Sequence, residues 1–275
     1  MISNLKTVDW LKNHINDEQL ILLDATIPKA TDKNKIIGTE CIPNTLFFDI
    51  KAKFSTQNTP FPNTVPSAQQ FEKEAQNLGI NGNSTIVIYD QNGIYSSPRA
   101  WWLFKLMGYN NVFILDGGLK AWKNENNSTQ PKFTTPIKKG NFMSNYQPHF
   151  VKFKNQILSE LNHNNELIID ARSKKRFLGI TDEPREGLRA GHIPHSKNLH
   201  YSVLTFNNKM IPKKEIKSLF DSLNIDKQTI TYSCGSGITA CILALAGSEI
   251  GIKNFSIYDG SWTEWGSLNE LPIEK

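Results

Sequence analysis

The second half of this chain repeats the first. Ile21-Leu22-Leu23-Asp24-Ala25-Thr26 is matched by Leu167-Ile168-Ile169-Asp170-Ala171-Arg172, and Cys41-Ile42-Pro43 by His192-Ile193-Pro194. Thr85-Ile86-Val87-Ile88-Tyr89-Asp90 is matched by Thr229-Ile230-Thr231-Tyr232-Ser233-Cys234. Ile114-Leu115-Asp116-Gly117-Gly118, with Trp122, is matched by Ile257-Tyr258-Asp259-Gly260-Ser261, with Trp265. The matches keep their order at offsets of 143 to 151 residues, so two tandem copies of one domain are expected. In each copy short apolar strands alternate with helical stretches, which implies an α/β fold with a mainly parallel sheet. In the second copy, helical patterns over Lys152–Leu161 and Lys213–Leu223 lead to strands Leu167–Asp170 and Thr229–Ser233, and a strand follows at Phe255–Tyr258. The 275 residues divide into domains at 1–135 and 151–275, joined by a linker at 136–150 inside an Asn-, Pro- and Lys-rich stretch.

The copies differ at one telling place. A β-prone run from Gln228 to Ser233 ends at Cys234, and Gly235, Ser236 and Gly237 follow before a helix begins near Thr239. Catalytic loops of parallel sheets lie at the carboxyl ends of strands. The glycines let successive N–H groups bend toward one point, and the helix start adds partial positive charge there. Both favour a thiolate over the thiol of a free cysteine, whose pKa is about 8.5. A buried structural cysteine is the plain alternative. Cys241 and Cys41 are read in that way, Cys241 facing inward with Ile238 and Leu245. In the first copy the matching residue is Asp90, so one domain carries the chemistry and the other is expected to shape and close the cleft.

The second copy also holds a segment with no counterpart in the first, Arg176-Phe177-Leu178-Gly179-Ile180-Thr181-Asp182-Glu183-Pro184-Arg185. It lacks helical or strand periodicity and reads as a loop. Two guanidinium forks on a loop can grip a carboxylate bidentately. A solvated loop with an Arg185–Glu183 or Arg176–Asp182 surface pair is the alternative.

Other classes fit less well. A phosphatase of the Cys-x5-Arg type needs an arginine closing the loop, and the sixth residue after Cys234 is Ala240. A Cys–His hydrolase needs a paired base; His192 and His195 are candidates, but His192-Ile193-Pro194 recurs as Cys41-Ile42-Pro43, the mark of a turn. A sulfur-carrier or binding module would keep a reactive Cys234 without turnover. The net charge of +5 is spread along the chain, which argues against nucleic-acid binding. No apolar run has the length of a membrane span. Three cysteines, and a start without a basic segment followed by an apolar core, lead us to expect a reducing, cytoplasmic setting.

Together these residues resemble the tandem-domain sulfurtransferases of the rhodanese superfamily, in particular its 3-mercaptopyruvate branch, over nearly the whole chain. The branch's Cys-Gly-Ser-Gly-Val-Thr-Ala loop is similar to Cys234-Gly235-Ser236-Gly237-Ile238-Thr239-Ala240. Its Gly-Arg-Phe-x-Gly…Glu-Pro-Arg segment resembles Lys175-Arg176-Phe177-Leu178-Gly179…Glu183-Pro184-Arg185. Tyr258 to Trp265 and Tyr95 to Trp102 match two further motifs. The resemblance implies two rhodanese-like domains. It implies that Cys234 takes sulfur from 3-mercaptopyruvate as a persulfide, and that Arg176 and Arg185 hold the donor. Gly235, Ser236, Gly237, Ile238 and Thr239 would line the site. The acceptor would be a small thiol, cyanide or a thioredoxin-like protein, and no metal or organic cofactor is implied. Thiosulfate is the alternative donor; relatives that prefer it carry Arg and Lys where this loop has Gly235 and Ser236. One departure stands out. The acidic residue and histidine that relay a proton in the family are replaced by Lys51 and Asn63.

Overall fold

A computed structural model describes residues 3–29, 38, 40–163, 166–225 and 229–275, without the side chain of residue 162. Gln228 lies outside the described residues. The chain forms two compact units. The first comprises residues 1–57, 65–147 and 207–210; the second comprises 58–64, 148–206 and 211–275.

The first unit contains β1 (Leu5–Lys6), α1 (Val8–His14), β2 (Leu20–Asp24), β3 (Leu46–Phe47), α2 (Ala68–Asn77), β4 (Thr85–Tyr89), α3 (Ser97–Leu106), β5 (Val112–Leu115) and α4 (Gly118–Asn124). Its sheet runs β1-β5-β4-β2-β3, parallel throughout. The Asn- and Pro-rich segment after α4 lies along this unit. It is pinned by Gly140 N–H donating to the Gln76 carbonyl and Phe142 N–H to that of Ile80, with Phe142 edge-on to Phe104 in an aromatic cluster.

The second unit contains β6 (Val151–Lys152), α5 (Lys154–His163), β7 (Leu167–Asp170), α6 (Lys174–Phe177), β8 (Lys197–Asn198), a 3-10 turn (Tyr201–Leu204) and β9 (Thr205–Phe206). After β10 (Lys209–Met210), which groups with the first unit, come α7 (Lys213–Asp221), β11 (Ile230–Ser233), α8 (Ala240–Glu249), β12 (Phe255–Tyr258) and α9 (Ser261–Trp265). Its sheet order, β6-β12-β11-β7-β8, is the first unit's order over again, also parallel. The repeat in sequence is thus a repeat in topology.

Strands β7, β11 and β12 are buried along their whole length, as expected of a parallel sheet covered on both faces. α8 is buried nearly all round, so it is a core helix rather than an amphipathic one. Cys241, Ile238 and Leu245 lie inside, as the spacing predicts. The Arg176 segment differs from the loop expected: Lys174–Phe177 closes one helical turn, too short to leave a periodic signal.

Candidate active site

Cys234 is the first residue beyond β11, and Thr239 caps α8. The five residues between Cys234 and the helix therefore wrap the helix N-terminus, with Gly237 at φ +76°, a left-handed conformation that glycine adopts without a Cβ clash. The start of α9 backs this loop. Cys234 N–H donates to Ser261 Oγ (3.3 Å), and Ser261 Oγ donates to the Tyr258 carbonyl (2.8 Å). Trp262 N–H donates to the Cys234 carbonyl (2.9 Å) and Thr263 N–H to that of Gly235 (3.0 Å). The Cys234 and Gly235 carbonyls thus face this support. Among the described residues, the N–H groups of Gly235, Ser236, Ile238 and Thr239 meet no acceptor. Such donors at a helix start suit an anion. Cys234 itself is 1% exposed.

The first unit shows what the equivalent loop does when a side-chain carboxyl group is built into it. Asp90 Oδ2 accepts from the N–H groups of Tyr95 (2.8 Å), Ser96 (2.9 Å) and Ser97 (2.9 Å) and from Ser97 Oγ (2.7 Å). Its Oδ1 accepts from Asn92 N–H (2.9 Å). A built-in carboxylate fills that nest.

Both sequence-selected arginines stand over the Cys234 loop. A Cβ on Gly235 would lie 3.2 Å from Arg176 Nη2 and 3.8 Å from Arg185 Nη1. Arg185 Nη2 donates to Ser236 Oγ at 3.3 Å. The acidic partners are not the ones that spacing suggested. Glu183, whose side chain is 2% exposed, bridges two guanidiniums: Arg176 through Nε (3.1 Å) and Nη2 (2.5 Å), and Arg172 through Nη1 (2.8 Å). Arg172 is fully buried, pairs with Asp170 (2.6 Å) and lies 4.3 Å over the Trp262 ring. Its role and that of Glu183 were not singled out from sequence. The signal was there, since Asp170-x-Arg172 answers Asp24-x-Thr26 with a charge that the first copy lacks.

Asn63 belongs to the second unit, where its Nδ2 donates to the Ser236 carbonyl (3.1 Å) and Oγ (3.2 Å). Lys51 is an exposed residue of the first unit, its N–H donating to Asp49 Oδ1 (3.1 Å). His192 is structural: buried, stacked on Phe177 at 3.7 Å, with Nδ1 2.8 Å from the Phe177 carbonyl. His200, half-buried just after β8, has its pKa lowered by burial and then by the Arg176 charge.

The site can therefore hold an anionic sulfur against backbone donors and a carboxylate against two guanidiniums. Among the described residues no helix is long and apolar enough to cross a membrane. The rhodanese-like domain family matches the chain twice, over residues 7–125 and 154–268. A 3-mercaptopyruvate sulfurtransferase of Escherichia coli is 34% identical over 97% of this chain and 96% of its own. A mitochondrial thiosulfate/3-mercaptopyruvate sulfurtransferase of Arabidopsis thaliana is 35% identical over 98% of this chain and 77% of its own. The crystal structure of SseA, a 3-mercaptopyruvate sulfotransferase of Escherichia coli, superposes with a TM-score of 0.85 at 30% identity, covering 95% of this chain and 99% of that one. With the rhodanese-like domain present twice and sulfurtransferases 34–35% identical over nearly the whole of this chain, one conclusion follows: the chain belongs to the rhodanese family and is a tandem-domain sulfurtransferase.

Proposed function

We propose that this enzyme takes sulfur from 3-mercaptopyruvate onto Cys234 and passes it to a small thiol, cyanide or a reduced thioredoxin-like protein. The observation that carries this reading is the convergence of Arg176 and Arg185 on Gly235, one residue from the nucleophile. The Cys234 thiolate attacks the donor sulfur and the C–S bond breaks. Its electron pair passes to the carbon as the enolate of pyruvate, and the outer sulfur stays on Cys234 as a persulfide. Gly235, Ser236, Gly237, Ile238 and Thr239 supply the loop around that sulfur, while Arg176 and Arg185 hold the carboxylate and keto oxygen.

Charge supports a monoanionic donor. Arg172, Arg176 and Arg185 face two carboxylates, those of Asp170 and Glu183, which leaves this group of five one positive charge. A dianion such as thiosulfate finds no cationic side chain at Gly235 or Ser236 to balance it. Three free cysteines fit a reducing compartment, and the cytoplasm is our proposal.

Steady-state turnover with mercaptopyruvate and thiosulfate side by side tests the reading. Preference for mercaptopyruvate by at least about tenfold in kcat/KM, about 1.4 kcal/mol, is expected. A preference for thiosulfate overturns the donor assignment and leaves a thiosulfate sulfurtransferase.

A further inference from the structure

Two donors converge on one hydroxyl beside the nucleophile. Ser236, 8% exposed, has its Oγ 3.2 Å from Asn63 Nδ2 and 3.3 Å from Arg185 Nη2. Asn63 Nδ2 also donates to the Ser236 carbonyl (3.1 Å). A carbonyl oxygen only accepts, so this second bond fixes which end of the Asn63 amide faces the loop. A turned amide would set two oxygens against each other there. A guanidinium carries donors alone, so Arg185 has nothing to accept with either.

The balance of donors and acceptors then decides where the hydroxyl points. A serine hydroxyl has two lone pairs and one proton. Both lone pairs are taken, by Asn63 and Arg185, and neither neighbour receives the proton. Among the described residues no other group hydrogen-bonds Ser236 Oγ, so the proton is left for whatever the site binds. The same Arg185 guanidinium lies over Gly235, with Nη1 3.8 Å from where a Cβ would stand. A donor gripped by Arg185 therefore has an oxygen next to this hydroxyl. The turn that carries Asn63 is built to hold it. Asn63 sits at φ +62°, a left-handed conformation that Asn adopts more readily than most residues, and the Thr59 and Thr64 hydroxyls both donate to the Phe61 carbonyl (2.8 and 2.9 Å).

We propose that Asn63 is a positioning residue that makes Ser236 a one-way hydrogen-bond donor to the keto oxygen of mercaptopyruvate; this rests on the donor reading above. As the C–S bond breaks, its electron pair passes to carbon and spreads onto the keto oxygen, which becomes anionic. The hydrogen bond from Ser236 strengthens at that moment, so it lowers the barrier rather than merely binding the donor. The serine keeps its proton throughout, since Asn63 cannot titrate and turns its nitrogen to the hydroxyl. The proton that the enolate carbon takes up is balanced by the one that the donor's thiol gives up, and Ser236 supplies neither. No enolate forms when sulfite leaves thiosulfate, so the device favours the mercaptopyruvate half-reaction.

The test is mercaptopyruvate turnover between about pH 4 and 9 by the wild type, Asn63→Asp, Ser236→Ala and the double variant. Persulfide formed from thiosulfate is read in parallel by intact mass. The carboxylate of Asn63→Asp accepts the Ser236 proton and turns it away from the donor. We expect kcat and kcat/KM of that variant to fall together by about a hundredfold above neutral pH. Its ratio to the wild type should recover toward the acid end, where the carboxyl group is protonated and donates again. Ser236→Ala should show the loss without the recovery, and the double variant should be no slower than Ser236→Ala. Persulfide formation from thiosulfate should fall far less in every variant. Wild-type kinetics in Asn63→Asp overturn the proposal. Additive losses in the double variant also overturn it, since Asn63 would then act apart from Ser236, and so do equal losses with both donors, which mark a structural role. A wild type that forms persulfide from thiosulfate alone defeats the donor reading first, and this proposal with it.

Discussion

Arg176 Nη2 lies 3.2 Å from where a Cβ of residue 235 would stand. Glycine there is a condition of the arginine's position, not of backbone conformation. The absence of a side chain beside the nucleophile and the presence of a guanidinium above it are one feature.

Substituting Gly235→Ala should therefore act on the donor rather than on the fold. The arginine tip must give by a few tenths of an ångström, and it is already bound to Glu183 on its other side. We expect KM for mercaptopyruvate to rise by about three- to tenfold, or about 0.7–1.4 kcal/mol of lost binding, with the thermal midpoint nearly unchanged. Gly235→Arg should cost more, because it adds a third guanidinium beside two. An unchanged KM in Gly235→Arg would place the donor's carboxylate elsewhere.

The arginines themselves should separate from their support. Arg176→Ala and Arg185→Ala should each lose about 1.5–3 kcal/mol of binding, or roughly ten- to a hundredfold in kcat/KM for mercaptopyruvate. Glu183→Gln should reduce stability as well, because it leaves buried Arg172 short of a counter-charge; removing one partner of a buried pair costs about 3–5 kcal/mol. Urea midpoints alongside kinetics distinguish the two. Stability equal in Glu183→Gln and Arg185→Ala would show that the Glu183 bridge contributes little.

What could be read from the chain follows from range. Leu167–Asp170 and Phe255–Tyr258 are short, continuous apolar runs, and both strands end where the sequence suggests. Thr229 falls just outside β11, a one-residue difference at a strand end. The helix over Lys213–Leu223 stops at Asp221, and that over Lys152–Leu161 is shifted to Lys154–His163. Cys234 was legible because strand, nucleophile, glycines and helix are consecutive. Glu183 was not, because its tie to Arg176 spans a helical turn and a bend, and neighbouring Asp182 offered an equally plausible spacing. The grouping of residues 58–64 with the second unit depends on contacts across most of the chain, which no local pattern encodes.

Sulfur should be found on Cys234 alone. Burial pushes the Cys41 thiol pKa up, which keeps it protonated. Cys241 Sγ donates to the Gly237 carbonyl at 3.3 Å, a contact that a serine hydroxyl reproduces. Incubation with mercaptopyruvate and no acceptor should add one sulfur mass, about 32 Da, to the Cys234 peptide and none to the others. Cys234→Ser should abolish turnover, whereas Cys41→Ser and Cys241→Ser should retain most of it. A persulfide on Cys41 would overturn the assignment.

The stability of the first unit should depend on pH through Asp24. Asp170 has Arg172 as its partner; Asp24, at the matching position, has Thr26. Burial, and to a smaller extent the Asp90 charge, raise the Asp24 pKa from 3.8 to about 6, although its hydrogen bonds from Thr26 oppose this. The folded state therefore holds the proton more tightly than the unfolded chain does. The stability this contributes is complete below the unfolded value and is lost as pH rises through about 6. Two pKa units correspond to about 3 kcal/mol. Asn at this position keeps an acceptor for Thr26 N–H and cannot ionise. We expect Asp24→Asn to strengthen the first unit at pH 7.5 by about 1–3 kcal/mol and to remove most of its decline between about pH 4 and 7. Hydrogen exchange of the β2 and β4 amides reports that unit alone, whereas β7 and β11 amides should respond little. Equal slopes for wild type and variant in β2 and β4 would mean that Asp24 stays ionised across the range and that its cost is already met by the surrounding donors.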